Sequence, residues 1–538
     1  MEPMSILDLS THSSKTNPII LSQPFQGNII RFWLPTAVGL ALLSAILLPL
    51  NLLATQRFHH DEALYATWAL EIASGENPLL AHTPIDKPPL FLYAVAAPLS
   101  LLGVTETAAR LPSLLATALT VGLTFWLGRK LYGDDRVGLL AAWLVALSPF
   151  TILFAPTAFT DPMLATLALA SCLAAACGRA GWAGMFLGLA IATKQQGVFF
   201  GPLVVAILGS SIKYQVSSVR CHVSRFTFHA SLTLLLTTFL TLLPVFLWDL
   251  ARDQSPGFWQ LSLINYGGLD TTARFGERWW EFVELLKYGV ASPILNTIFV
   301  IGLPLLLAYG IRQTINNKRQ IQPSNVRQHQ TDWIFSLFTL AFLLGHAILS
   351  FQVWDRYLLG LIPLLALLLA RILLLPWSLL KQSWLNHHPR LLPAAALANS
   401  LTLILLLAIT LAGPVQDAVN ARYPLGSNSH ALSGIEQITA YLQGHAGADT
   451  TLYHRWLGTH WRFYLWGYPY DLQYWPSAQH LADRAKPGHL IAFPSWRSET
   501  EARLALAEAG LTLQELTRAY TPLGYPSIVL YEIVAGEN

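Results

Sequence analysis

Eleven apolar runs, most of them close to the length of a bilayer crossing, punctuate this 538-residue chain. They fall at residues 33–53, 108–128, 137–154, 162–178, 181–193, 197–212, 229–248, 290–311, 333–350, 357–375 and 392–413. A membrane helix needs about 20 mostly apolar residues, and only elements that satisfy their own backbone hydrogen bonds can cross lipid. The pattern therefore predicts a mostly α, polytopic membrane protein with about 11 transmembrane helices. Composition points the same way, since 12% of the residues are charged where a soluble domain has about 25%. A net charge of +3 gives no reason to expect a nucleic-acid partner. Cys172, Cys177 and Cys221 fit neither a disulfide framework nor a zinc motif.

Orientation follows from the basic residues, because loops rich in Lys and Arg stay cytoplasmic. With the amino terminus inside, Arg129, Lys130, Arg136, Arg312, Arg327, Arg371 and Arg390 fall on inner loops, together with Lys213, Arg220, Arg225, Lys318 and Arg319. An odd number of crossings sends the chain from residue 414 onward outside. The expected organisation is a disordered cytoplasmic tail over residues 1–30 without a cleavable signal, a transmembrane catalytic domain over 31–413, and a small extracytoplasmic α/β domain over 414–538. Helical segments near 434–443 and 499–509, alternating with β-prone runs at Thr450–Tyr453, Leu490–Phe493 and Ser527–Glu532, support the last of these. No internal repeat is visible, which weighs against a transporter built from duplicated halves.

The segment 54–107 is too long for a plain connection and is expected to work. It opens His59-His60-Asp61-Glu62, and the stretch Ala63–Ser74 sets Leu64, Tyr65, Trp68 and Ile72 on one stripe, which predicts an amphipathic helix lying in the interface. A second interfacial helix is predicted after Asp86-Lys87-Pro88-Pro89, over Leu90–Leu102. Asp161 at the entrance of the fourth run, Lys194 between two apolar runs with almost no loop around it, and Asp355-Arg356-Tyr357 at the tenth run fall on the same side of the membrane. Charges near hydrocarbon cost about 2.5–3.5 kcal/mol each on insertion scales and tend to mark functional sites. Alternatively, Asp61 and Asp161 cap helices, Lys194 snorkels and Arg356 pairs with Asp355.

Carboxylates beside Lys and Arg at a membrane surface suit displacement at a carbon bearing a phosphate leaving group. One carboxylate takes the acceptor's proton, the cations stabilise the departing phosphate, and a second carboxylate orients the ring or holds a cation. At these residues the chain resembles the GT-C glycosyltransferases of the protein O-mannosyltransferase and lipid A aminoarabinose transferase superfamily. The likeness is carried by Asp61-Glu62, Asp86-Lys87-Pro88-Pro89-Leu90, Ala109-Arg110-Leu111-Pro112-Ser113, Asp161, Thr193-Lys194 and Asp355-Arg356-Tyr357-Leu358, in that order over residues 55–370.

The resemblance implies inverting transfer from a polyprenyl-phosphate sugar at the extracytoplasmic face of the plasma (inner) membrane. Asp61 would be the base, Asp161 a second catalytic carboxylate, and Glu62, Asp86, Lys87, Lys194, Arg356 and Tyr357 substrate-binding residues, with Lys87, Lys194 and Arg356 near the lipid phosphate. The family's metal contact falls at Asp86, which makes a divalent cation the one candidate cofactor. Partners are then the donor lipid, membrane lipids and an acceptor glycan, lipid or protein. In the tail, Tyr453-His454-Arg455-Trp456-Leu457-Gly458 resembles bacterial members loosely, and His454, Arg455 and His460 are candidates for acceptor contact, although a packed core histidine carries more weight. A transporter of lipid-linked saccharide and a scaffold displaying the tail are the competing readings.

Overall fold

The computed structural model describes residues 25–216, 223–265, 274–316, 323–349, 352–426, 432–445, 447 and 450–536. The expected disordered tail up to residue 24, Cys221, and the basic residues Arg220, Lys318 and Arg319 lie outside the described residues. The first helix begins at Phe25.

Among the described residues, eight helices are long and apolar enough to cross a bilayer: Trp33–Thr55, Glu106–Tyr132, Gln195–Ile212, Phe228–Leu250, Pro293–Gln313, Val326–Ile348, Asp355–Lys381 and Leu392–Val419. The remaining three expected runs are shorter or broken. Two form the helices Asp161–Ala176 and Ala180–Thr193. The third is divided into Asp135–Ala146 and Pro149–Phe154. The break has a local cause, because Pro149 has no N–H to donate and pushes the residue before it out of helical geometry. Ser148 is extended there, and its hydroxyl donates to the Gly289 carbonyl at 2.6 Å.

The Ala180–Thr193 helix matters because Lys194 is its C-cap. It packs hard against the long helix Val223–Leu250 through a small-residue seam. A Cβ on Gly184 would stand 2.0 Å from Thr237 Oγ1 and 2.2 Å from the Leu234 carbonyl oxygen, and one on Gly188 would stand 2.7 Å from the Thr241 Cβ. Backbones that approach this closely gain packing contacts that lipid cannot replace.

The two first-loop helices form as expected, at His60–Ala73 and Leu90–Leu102. Their surroundings differ from expectation. The first is enclosed by protein along most of its length. Ala63, Tyr65, Ala66, Thr67, Trp68, Ala69 and Leu70 are all buried, because Leu90–Leu102 packs against one side of it and the tail domain covers another. Small residues at Ala63, Ala66 and Ala69 let the neighbours come in on faces that the aromatic stripe does not use.

The tail is an α/β domain around a five-stranded sheet of β1 (Thr450–His454), β2 (Tyr470–Tyr474), β3 (Leu490–Pro494), β4 (Leu511–Tyr520) and β5 (Pro526–Ala535), in the order β2-β1-β3-β5-β4. β1 runs parallel to β2 and β3, while β5 is antiparallel to β3 and β4. The runs expected near 450, 490 and 527 are β1, β3 and β5. β2 and β4 were not among the expected runs, although Tyr470–Tyr474 alternates apolar and polar residues. The helix Gly458–Tyr464 docks the domain on the first loop. Thr67 Oγ1 donates to the Thr459 carbonyl at 3.0 Å, His460 Nε2 donates to the Phe58 carbonyl at 3.1 Å, and Tyr464 hydrogen-bonds Glu106.

Replacing Gly184 by leucine is expected to force the two helices of the seam apart. Overpacking of this kind costs about 1–3 kcal/mol, so the melting temperature in detergent should fall, with Gly209→Leu, whose Cβ meets nothing within 4 Å, as the control that leaves it in place.

Candidate active site

Asp61 owes its position to a reciprocal cap. His59 Nδ1 accepts from the Asp61 N–H at 3.2 Å, and Glu62 Oε2 accepts from the His59 N–H at 2.9 Å. Two orphan amides of the helix start are thereby satisfied and the first turn is fixed. Glu62 then turns inward. Its other oxygen accepts from Arg110 Nε at 3.1 Å and from the Ala158 N–H at 2.8 Å, and the side chain has no exposure. Arg110 is equally enclosed, donating also to the Gln56 carbonyl at 2.8 Å and to Glu106 at 3.2 Å, with Phe58 against its guanidinium. Glu62, expected beside the substrate, is instead the buried junction of three segments, because both carboxylate oxygens are engaged within the protein.

Asp61 faces the opposite way. Its Oδ2 lies 2.7 Å from Arg356 Nη2, and its side chain remains 32% exposed. Burial alone would raise this carboxyl, but Arg356, His59 and Lys87 together hold it below the usual carboxylate range. Arg356 is flanked by Phe159 and Trp354, with its guanidinium carbon 4.7 and 4.9 Å from their ring centres. Asp355, one residue earlier, is not its ion-pair partner. It accepts from the Gly426 N–H at 2.7 Å and so ties the tenth expected run to the chain leading into the tail.

Lys194 stands at the joint between the helix Ala180–Thr193 and the 3-10 turn Gln195–Phe200. Its ammonium is 2.6 Å from Asp161 Oδ1, both side chains being 3% exposed or less, and it sits 4.4 Å from the centre of the Tyr357 ring. Asp161 is thus the buried counter-charge of Lys194. Lys87 pairs with its neighbour Asp86. The Asp86 carbonyl is held by Gln195 Nε2 and Ser262 Oγ, each at 2.6 Å.

These residues surround one cavity of about 420 Å³, lined by Asp61, Tyr65, Trp68, Asp86, Lys87, Lys194, Arg356 and Tyr357 among others. Six of the eight residues singled out in the sequence meet there; Glu62 and Asp161 stand behind the wall. Tyr65 and Trp68 had been read as a membrane stripe, yet they follow Asp61 by four and seven residues and share its face of the helix. Gln195 and Ser262 gave no signal, since an amide and a hydroxyl that brace a loop look like any others.

The wall holds three cations, and each pairs with a carboxylate: Arg356 with Asp61, Lys194 with Asp161, Lys87 with Asp86. A tetrahedral dianion entering here would meet three donors that move only slightly to reach it. A divalent metal fits poorly. Among the described residues no three His, Cys, Asp or Glu side chains converge on a point, and Asp86 is engaged by an ammonium.

In the tail, His454 and His460 are core residues. Burial pushes them down to about 4 and about 3, so both are neutral near pH 7.

Breaking the most buried pair should be costly. Lys194→Met strands Asp161 without a counter-charge, a change that costs about 3–5 kcal/mol in such settings. Thermal unfolding should show a large loss for Lys194→Met and its partial recovery in Lys194→Met/Asp161→Asn.

Residues 86–262 match the family of dolichyl-phosphate-mannose-protein mannosyltransferases, a stretch that includes Asp86, Lys87, Asp161 and Lys194. Among solved structures the chain is similar to ArnT from Cupriavidus metallidurans bound to undecaprenyl phosphate, with a TM-score of 0.62 and 15% identity over 93% of this chain and 98% of that one. It is similar also to the apo state of that protein, with a TM-score of 0.59 and 16% identity over the same shares. A search of curated proteins finds no match. With the fold shared end to end and the match to the mannosyltransferase family running through the site, the chain is a polytopic membrane protein with the fold of the ArnT structure.

Proposed function

We propose that the protein transfers a sugar from a polyprenyl-phosphate donor to an acceptor at the extracytoplasmic face of the plasma (inner) membrane, with inversion and with Asp61 as the general base. The observation that supports this best is the single cavity in which Asp61 faces three cations at one end of the bundle. The donor phosphate sits against Arg356, Lys194 and Lys87. The acceptor oxygen approaches the sugar's anomeric carbon from the face opposite the phosphate, Asp61 takes its proton, and the bond from that carbon to the phosphate oxygen breaks. The leaving group departs as polyprenyl phosphate, its charge met by the three cations. Arg356 has two tasks, since it keeps Asp61 ionised and receives the phosphate. Asp161 acts through Lys194 by holding its ammonium in place. No step needs a metal, and the donor set does not suit one.

The bound lipid of the similar ArnT structure is the kind of donor tail this reading requires. A transporter would carry its ionisable groups near the midplane of duplicated halves, whereas the charges here gather at one end of the helices.

With a panel of polyprenyl-phosphate sugars, the wild-type chain should consume one donor. Asp61→Asn, which keeps the shape but cannot accept the proton, should lower the rate by about 10² to 10⁴; full turnover by this variant would remove Asp61 as the base.

The acidic limb of the pH profile should lie below the ordinary carboxylate range, because ionised Asp61 is the active form and its neighbours hold the carboxyl down. In Arg356→Gln the burial effect loses its main opponent. The limb of the residual rate should then move to higher pH, and a limb that stays in place would show that some other group titrates.

A further inference from the structure

The tail domain has a switch point in its strand order, where such sheets form a crevice, to which the steps above give no task. In the order β2-β1-β3, the strands following β1 lie on its two opposite sides, and all three run parallel. In open α/β sheets, ligands bind outside the carboxyl ends of the strands at such a switch point. The loops that leave β1 and β3 there carry Arg455-Trp456 and Trp496-Arg497.

These side chains interleave. The Arg497 guanidinium carbon lies 5.2 Å from the centre of the Trp496 ring and 5.6 Å from that of Trp456, while that of Arg455 lies 5.4 Å from Trp456 and 5.1 Å from the buried Trp475. Trp496 and Arg497 are exposed and Arg455 and Trp456 half-buried. Among the described residues neither arginine has a carboxylate within ion-pair distance, and the nearby Glu499 is engaged by Arg503 at 2.6 Å and by the Tyr531 hydroxyl at 2.8 Å. Packing on indole restrains the guanidinium groups, whose fork of N–H donors matches carboxylate or phosphate oxygens. The exposed Trp496 ring suits the C–H face of a sugar ring. The crevice also adjoins the base, for the Trp496 ring is 5.7 Å from that of His60, the residue before Asp61.

We propose that this crevice binds the acceptor and that the acceptor is an acidic glycan, a saccharide bearing carboxylate or phosphate groups. A neutral glycan would use the indoles but not two cations without counter-charges, and a hydroxyl-bearing peptide needs neither stack. The role of acceptor rests on the glycosyltransferase reading, whereas binding itself does not.

The test is therefore made without donor, on the full chain in detergent, by tryptophan fluorescence and calorimetry. The probes are an oligogalacturonate, a phosphorylated oligomannoside, a neutral maltohexaose and a threonine-rich peptide. At least one anionic saccharide should bind at least tenfold more tightly than maltohexaose and lose affinity as salt rises, and the one that binds identifies carboxylate or phosphate as the recognised group. Arg497→Gln and Trp496→Ala should each weaken that binding tenfold or more, with the thermal midpoint unchanged. Equal affinity for maltohexaose, preference for the peptide, no binding of either anion, or wild-type affinity in both variants would overturn the proposal. A donor-consumption defect in Asp61→Asn is read separately, so failure of the crevice and failure of the enzyme reading cannot be confused.

Discussion

A charge enclosed by protein must be met by another charge or by hydrogen bonds, and around Glu62 and Arg110 that requirement organises the whole upper end of the molecule. Neither side chain reaches solvent. Loss of either partner from such a pair costs about 3–5 kcal/mol, so the three segments that supply the ligands are held together as one piece. The His59 cap hangs on Glu62, and the direction of Asp61 hangs on the cap. Asp61, the proposed base, is thus aimed by its immediate neighbour, which points the other way into the protein.

The cavity repeats this logic with a different outcome. Its three ion pairs are graded in exposure, from Lys194 with Asp161, which is closed to solvent, to Arg356 with Asp61, whose carboxylate is about a third open. Pairing keeps the cations tolerable at the edge of hydrocarbon. Under the proposed function it also stores the donors for a phosphate in nearly their working positions, so that little reorganisation accompanies binding. The close seam at Gly184 and Gly188 belongs to the same design, because it sets the helix whose end carries Lys194.

The membrane architecture and six of the cavity residues were legible in the sequence because both signals are local. Apolar runs declare crossings, and a charge beside an apolar run is conspicuous. What was hidden depends on contacts between distant segments. Glu62 and Asp161 carry the same chemical group as Asp61, and only the fold shows that Arg110, Ala158 and Lys194 claim them. The stripe of Tyr65 and Trp68 looked like a membrane anchor because its period is that of any amphipathic helix; its place in the cavity wall depends on distant segments. Gln195 and Ser262 are bracing groups with no motif of their own.

The docking of the tail on the first loop has a consequence for biogenesis. Thr67 meets Thr459, and Phe58 meets His460, across separations of 392 and 402 residues. During synthesis the loop that carries Asp61 is made hundreds of residues before its cover. Until then the His60–Ala73 helix lacks one of its walls. Completion of this helix's surroundings is thereby coupled to folding of the tail domain, and a chain stalled before that point leaves them unfinished.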